Sequence, residues 1–170
     1  MADSNITKRI LAASLKHLLN DRSFQKINIH DICEKCGMNR KSFYYHFRDK
    51  YDLVNWIFDN EFVLPYGALM HKDEQESISA LCTYFYENRA FYRQAFKIEG
   101  QNSFSEHFCA FIYPYVEKQF VNLSEDVGIK DFQCRLAAES LRSALEYWLD
   151  EKDPLQPQKF VECLNFNKAY

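Results

Sequence analysis

Residues 39–50, "NRKSFYYHFRDK", gather Arg40, Lys41, Arg48 and Lys50 around Ser42, Tyr44, Tyr45 and His46. Core aromatics normally keep apolar company, whereas these rings sit among cations and hydroxyls. On a helix advancing about 100° per residue, Phe43 and Phe47 share one face. Lys41, Ser42, Tyr44 and Tyr45 point broadly the other way, with Arg40 and His46 on the flanks. The outward set offers positive charge, hydrogen-bond donors and flat rings. Such groups can hold the phosphates of a duplex and reach base edges in a groove that admits one helix. The same mixture also occurs on solvated helix surfaces, and paired helices of this kind occur in bundles that bind nothing.

The elements that must position these residues can be read from caps and spacing. Ile6, Ile10, Leu11, Leu15, Leu18 and Leu19 recur at helical intervals and predict a first helix over residues 5–20. Asn28 is a good N-cap with Asp31 three residues on; it predicts a short helix carrying Ile29, Ile32, Cys33 and Cys36 and ending at Gly37. Asn39 caps the next helix almost at once. Two helices joined by a very short glycine turn make a helix-turn-helix. Asp49 then caps a fourth helix, in which Leu53, Trp56, Ile57 and Asn60 share a face and which ends near "LPYG". Lys50 falls in its first turn, where free backbone N–H groups and the positive dipole end favour a phosphate. Asn28 and His30, in the first turn of the second helix, can approach a neighbouring backbone in the same way.

The 170 residues carry a net charge of −3, only four Gly and four Pro, and 47% hydrophobic residues. The apolar spacing is three and four rather than two, so the fold class is all-α. Charge is uneven: residues 1–60 hold ten Lys or Arg against seven Asp or Glu, and residues 61–170 hold eleven against seventeen. The first part is therefore the one suited to an anionic partner. "MADSNITKR" lacks the apolar run of a signal peptide, and no stretch approaches the roughly 18 apolar residues of a membrane span, so a cytoplasmic protein with no membrane association is expected.

Residues 33–36, "CEKC", with His30 nearby, invite a metal or redox reading. Zinc sites of this kind use four ligands, and the chain has no second C-x-x-C. The six cysteines (33, 36, 82, 109, 134 and 163) read better as small apolar groups in a reducing compartment, although a thiol at a helix end can be acidified. No phosphate loop, G-x-S-x-G or H-E-x-x-H occurs, and His17, His71 and His107 lack partners at mechanistic spacing, so no catalysis, cofactor or metal is expected.

Beyond Pro65 and Gly67 the pattern predicts helices over residues 75–96 (broken near Asn88), 103–122, 130–151 and 156–167, the last with Pro157 in its first turn. Residues 84–120 contain twelve aromatics. Phe104, Phe108, Phe111 and Tyr115 fall at core spacing, so packing is the default account. Pro114 interrupts that pattern, and a kinked, ring-lined helix can leave an apolar cavity with a few polar contacts. Candidates to line one are Tyr84, Phe108, Phe111, Tyr115 and Trp148. In helix 130–151, Phe132, Leu136, Leu141, Ala144, Leu145 and Trp148 cover a broader arc than one domain needs, leaving a stripe for a second protomer.

The stretch "INIHDICEKCGMNRKSFYYHFRDKYDLVNWIF" resembles the DNA-binding domain of TetR-family transcriptional regulators; with the first helix, the likeness covers about residues 5–60. Further stretches, "YDLVNWIFDNEF" and "YFYENRAFYRQAF" with a late Trp, are similar to a short subgroup of that family. The resemblance implies that Arg40, Lys41, Ser42, Tyr44, Tyr45 and His46 face the major groove or its walls. It places Asn28, His30 and Lys50 at the DNA backbone or groove edge. It further implies a helix-turn-helix domain over residues 1–50, a linking helix over 50–64, and a helical effector-binding and dimerisation domain over 65–170. The implied protein is a homodimer on a palindromic operator, its last two helices forming a four-helix interface. It would answer to a small apolar or aromatic effector as a repressor, or alternatively work as an activator or adaptor through a protein co-regulator. Cys33 and Cys36 depart from the small residues usual at their positions.

Overall fold

Side-chain caps divide the N-terminal third into short helices in this computed structural model, which describes residues 2–68, 74–119 and 126–164. Helix α1 spans Ala2–Leu19 and buries Leu11, Leu15, Leu18 and Leu19. Ile6 and Ile10, assigned to the same stripe by spacing, are exposed; in these turns it is Ser4 and Lys8 that face His46 and the rings of Phe47 and Trp56. A single 3-10 turn, Phe24–Lys26, follows and buries Phe24. Helix α2, Ile29–Lys35, begins in a complete capping box: Asn28 Oδ1 accepts from the Asp31 amide at 3.0 Å, and the Asn28 amide donates to Asp31 Oδ2 at 2.8 Å. It ends in a reversal in which the Met38 amide donates to the Cys33 carbonyl and the Gly37 amide to that of Glu34. Gly37 sits at φ +66°, where a Cβ would be strained, which is why glycine serves here.

Helix α3, Arg40–His46, starts where Asn39 Oδ1 accepts from the Ser42 amide at 2.8 Å. Helix α4, Lys50–Phe58, starts where Asp49 Oδ1 accepts from the Tyr51 and Asp52 amides. It does not stop at Phe58. One π-helical turn, Asp59–Val63, carries it into the one-turn α5, Leu64–Tyr66. Phe58 and Phe62, four residues apart and so on one face, both point inward with ring centroids 5.4 Å apart.

Helices α6 (Glu74–Glu87) and α7 (Arg89–Ala95) are separated at Asn88, where the break was expected. Helix α8, Phe104–Gln119, runs on through Pro114. Helix α9, Val127–Asp150, begins three residues earlier than its spacing predicted because Asp126 Oδ1 accepts from the Gly128 and Ile129 amides. Helix α10 is Pro157–Leu164; the predicted ends at residues 120–122 and 165–167 lie outside the described residues. Among the described residues there is no strand.

The aromatic-rich segment forms the core. Phe58, Phe85, Tyr92, Phe104 and Phe108 are fully or almost fully buried, and edge-to-face contacts join Phe58 to Tyr92, Phe104 and Phe108 and Phe85 to Tyr92 and Phe108. Trp148 closes the other end of this bundle, stacked on Phe160 of α10 with centroids 4.1 Å apart and donating its indole N–H to the Leu155 carbonyl at 2.9 Å.

Two assignments made from the pattern of α9 are corrected by this packing. Leu145 and Trp148 are interior residues of their own protomer, not interface residues: Leu145 is fully buried, and Trp148 stacks on Phe160 of α10 and on Tyr86 of α6. Helix α10 likewise turns its apolar Pro157, Phe160 and Val161 inward. What remains outward on α9 is a narrower stripe of Phe132 and Leu136, 66% and 57% exposed, with Ile129 and Tyr147 in line; Leu141 and Ala144 lie half-buried at its edge.

Candidate nucleic-acid interface

Helix α3 is held by its two phenylalanines. Phe43 and Phe47 are buried, and Phe47 packs edge-on against Trp56 of α4 at 5.7 Å. The remaining residues of α3 consequently turn away from the core. Arg40, Lys41, Tyr44 and Tyr45 are exposed, Tyr45 most of all at 82%, while Ser42 and His46 are half-buried. Arg40 stands with its guanidinium carbon 5.9 Å from the Tyr44 ring and donates to its hydroxyl at 3.4 Å, so the pair forms one stiffened, cationic edge. The rings of Tyr45 and His46 meet edge to face at 4.9 Å.

His46 is the link from α3 back to α1. Its Nδ1 lies 3.5 Å from the Ser4 hydroxyl, and burial, reinforced by the Lys8 ammonium, holds its pKa below the ordinary value. Lys8 itself lies over the rings of Phe47 and Trp56 at 5.5 and 5.7 Å. Positive charge thus continues from α3 onto the start of α1.

A groove of about 590 Å³ flanks α3 on the other side; Asn28, His30, Arg40 and Lys50 line it together with Gln25, Asp49 and Tyr51. Four of the nine residues singled out for DNA contact therefore meet along one groove. Gln25 and Tyr51 share it, and no spacing rule pointed to them: Gln25 belongs to the 3-10 turn and Tyr51 stands directly behind the Asp49 cap.

Lys50 is placed differently from the free arm its position suggested. Its ammonium donates to the Phe24 and Ile27 carbonyls, both at 2.7 Å, and stands 4.2 Å from the Phe24 ring. Burial lowers its pKa, partly offset by Asp31. It is first a clamp closing the turn before α2, with one N–H left for the groove.

Cys33 and Cys36 are both free thiols. Cys33 is buried, and desolvation followed by neighbouring Cys36 pushes its pKa up, while the Cys36 thiol donates to the Ile32 carbonyl at 3.3 Å. A buried thiol with a raised pKa is poorly poised for oxidation. His30, Asp31 and Glu34 can bring one ligand atom each within 4.8 Å of one another. Asp31 is already engaged by the cap and by Arg22, so the cluster is read as surface electrostatics.

The five residues expected to line a cavity are not brought together around one. Phe108 and Trp148 are packed solid against other side chains and line no described cavity; Phe111 and Tyr115 are half-buried, their rings 5.2 Å apart. Tyr84 borders an opening of about 500 Å³, shared with Tyr66, Ser79, Ala80, Thr83 and Glu87. Its hydroxyl points the other way, 2.6 Å from that of Tyr92 and 3.4 Å from Glu61, and burial raises its pKa strongly.

A capped helix pair joined by a left-handed glycine, with a cationic, ring-bearing face on the second helix and a helical bundle behind it, defines a helix-turn-helix protein. Residues 10–57 match the bacterial regulatory proteins of the tetR family, and residues 72–166 match a transcriptional regulator C-terminal region. The chain belongs to the TetR family of transcriptional regulators. Over 109 residues it is 32% identical to the HTH-type dhaKLM operon transcriptional activator DhaS of Lactococcus lactis subsp. lactis (strain IL1403), a stretch covering 64% of this chain and 57% of that relative. Among solved structures, a dihydroxyacetone kinase operon activator DhaS superposes with a TM-score of 0.64 at 22% identity, covering 96% of this chain and 95% of that one. A TetR regulator from Streptococcus agalactiae gives 0.68 at 17%, covering 95% and 93%. NalD, the secondary repressor of the MexAB-OprM multidrug efflux pump in Pseudomonas aeruginosa, gives 0.65 at 18%, again covering 95% and 93%. An activator and a repressor thus share this fold.

Proposed function

We propose that the protein is a homodimeric regulator that binds a palindromic operator in double-stranded DNA through α3 and answers to an effector held by the helices beyond residue 64. Its work is binding rather than catalysis, and DNA as its partner puts that work in the cytoplasm. The observation that carries the reading is the division of α3: Phe43 and Phe47 inward, Arg40, Lys41, Tyr44 and Tyr45 outward. In this reading those outward groups, with Ser42 and His46, enter the major groove, while Asn28, His30 and the free N–H of Lys50 hold backbone phosphates along the adjoining channel. One seven-residue helix touches few base pairs. Two copies related by the exposed α9 stripe, set about 34 Å apart or a multiple of it, read enough to be specific.

The effector changes the separation of the two α3 helices, and operator affinity follows whichever spacing it favours. Repression by a small ligand beside Tyr84 is the first reading. A second, a protein co-regulator, is favoured by the filled aromatic core around Phe85 and Phe108, which leaves the described openings at the surface.

Selection from a random duplex library, followed by mobility shift at several salt concentrations, tests the proposal. Specific retention that is lost in the Lys41→Ala/Tyr44→Ala variant supports it; retention unchanged by those substitutions removes it. Thermal stabilisation by a small molecule alone, against co-purification with a second polypeptide, separates the two effector readings.

A further inference from the structure

We infer that α7 is a strut that fixes the tilt of each DNA-reading unit on the dimer, making Arg89 and Gln94 determinants of operator half-site spacing. The inference rests on the dimeric reading above. It is drawn from what this seven-residue helix bonds at its two ends.

Helix ends leave their last carbonyls without intrahelical partners, and these are usually met by water or a local turn. Here α7 supplies the partners for two other helices. Arg89 Nε donates to the Leu149 carbonyl in the last turn of α9 at 2.8 Å, and its guanidinium also donates to the Glu151 carbonyl just beyond. Arg93 and Lys97 hold the Asp150 carboxylate on the same helix end, each at 2.7 Å. One turn further along, the Gln94 side-chain amide donates to the carbonyl of Leu19, the final residue of α1. Lys16, also in the last turn of α1, lies 5.5 Å from the Phe91 ring of α7 and pairs with Glu61. One short helix is therefore fastened to the C-terminal end of α9, which carries the exposed stripe, and to the C-terminal end of α1, against which α2 and α3 pack. A helix of this length is only about 10 Å long and transmits displacement without bending appreciably.

A second attachment runs through α4 and its π-helical extension: Asn55 donates to the Asn102 carbonyl at 3.2 Å, and His107 Nε2 lies 2.8 Å from Asp59. Two attachments define a tilt; one permits a pivot. Releasing the α7 attachment frees the α1–α3 unit to swing about α4, so that operators of different half-site separation become nearly equivalent. None of the residues released touches DNA in the proposed geometry, and none belongs to the α9 stripe.

The test uses the intact chain and two half-sites recovered by selection, rejoined with spacers one or two base pairs shorter or longer than the selected one. Each base pair changes the separation by about 3.4 Å and the facing by about 34°. Wild type should prefer one spacer sharply. Arg89→Ala/Gln94→Ala should reduce the ratio of best to next-best spacer by about threefold to tenfold, the range expected for one or two lost hydrogen bonds. Affinity for a single half-site and the dimer mass by light scattering should stay at wild-type values. If the double variant does not fold, Gln94→Leu alone, which keeps the Arg89 cap, should give a smaller flattening of the same sign. A spacer profile identical to wild type overturns the inference, as does an equal loss of affinity on every duplex including the half-site. A wild type that shows no preference for paired half-sites removes the dimeric reading and the inference together.

Discussion

Lys50 and Phe24 are locked together across the start of the DNA-reading unit: the lysine ammonium donates to the Phe24 carbonyl at 2.7 Å and stands 4.2 Å from the centre of its ring. The same nitrogen reaches the Ile27 carbonyl, so a side chain from the first turn of α4 closes the 3-10 turn that presents the Asn28 cap. Lys50→Met keeps most of the stem and removes the donors. It should cost about 1–3 kcal/mol in urea unfolding, because two buried carbonyls lose a charged partner. Operator affinity should fall on all sequences alike. The dependence of affinity on salt separates clamp from phosphate ligand: a clamp leaves the log–log slope nearly unchanged, whereas loss of one phosphate contact per protomer reduces it by about 1.8 per dimer.

Gly37 provides a purely conformational test of the turn. It sits at φ +66° with nothing within 4 Å of where a Cβ would lie, so a substitution meets backbone strain and no clash. Gly37→Ala should destabilise by about 1–2 kcal/mol, and Gly37→Asn by less, since Asn tolerates the left-handed region better. Thermal or urea unfolding of the two variants checks the order.

Which of these features could be read in the chain beforehand follows from the range of the forces involved. Asn28, Asn39 and Asp49 were legible because a cap is settled within three residues, and the inward turn of Phe43 and Phe47 because helical geometry alone separates them from Tyr44 and Tyr45. The clamp by Lys50 was not. It depends on two carbonyls presented by a turn more than twenty residues earlier, while the local signal, a lysine in a first turn, points equally to solvent. Leu145 and Trp148 were misplaced for a related reason. Periodicity shows that α9 is apolar over a wide arc but not which part of the arc α10 covers, and that was decided by the stack of Trp148 on Phe160. The end of the fourth helix near "LPYG" was legible, but the π-helical turn inside it was not, because such a turn has no residue signature of its own.

With α3 in the groove as proposed, His46 should make operator binding sensitive to pH. Its folded-state pKa is lowered from 6.5 by burial and then by Lys8, so the folded protein holds it neutral near pH 7. Sign follows from linkage: the contribution to stability is complete above the unfolded value and is lost as pH falls below about 6.5. A duplex reverses the local field, since phosphates favour the imidazolium, so binding takes up a proton. Operator affinity of the wild type should rise about threefold to tenfold between roughly pH 7.5 and 6, and His46→Gln should remove that part of the rise. Mobility shifts at matched ionic strength measure it; an identical pH profile in the variant means the ring stays neutral on DNA.

Two sites on α9, the outer pair Phe132 and Leu136 and the inner Leu145, should fail in opposite ways. Phe132 is 66% exposed and Leu136 57%, whereas Leu145 is fully buried against the protomer's own helices. If the outer stripe meets a second copy, Phe132→Glu/Leu136→Lys introduces charges into an apolar contact and splits the dimer, while each protomer, having lost no internal packing, keeps its melting temperature within a few degrees. Affinity for the paired operator should then drop about a hundredfold or more, because the second half-site is no longer held at high effective concentration, and affinity for one half-site should not change. Leu145→Ala should do the reverse, losing about 2–5 kcal/mol of stability to the cavity it leaves while the remaining folded protein stays dimeric. Light scattering and urea unfolding on the same preparations decide the matter: a dimer that survives the charged pair means that α9 is not the surface through which two copies of α3 are brought onto one duplex.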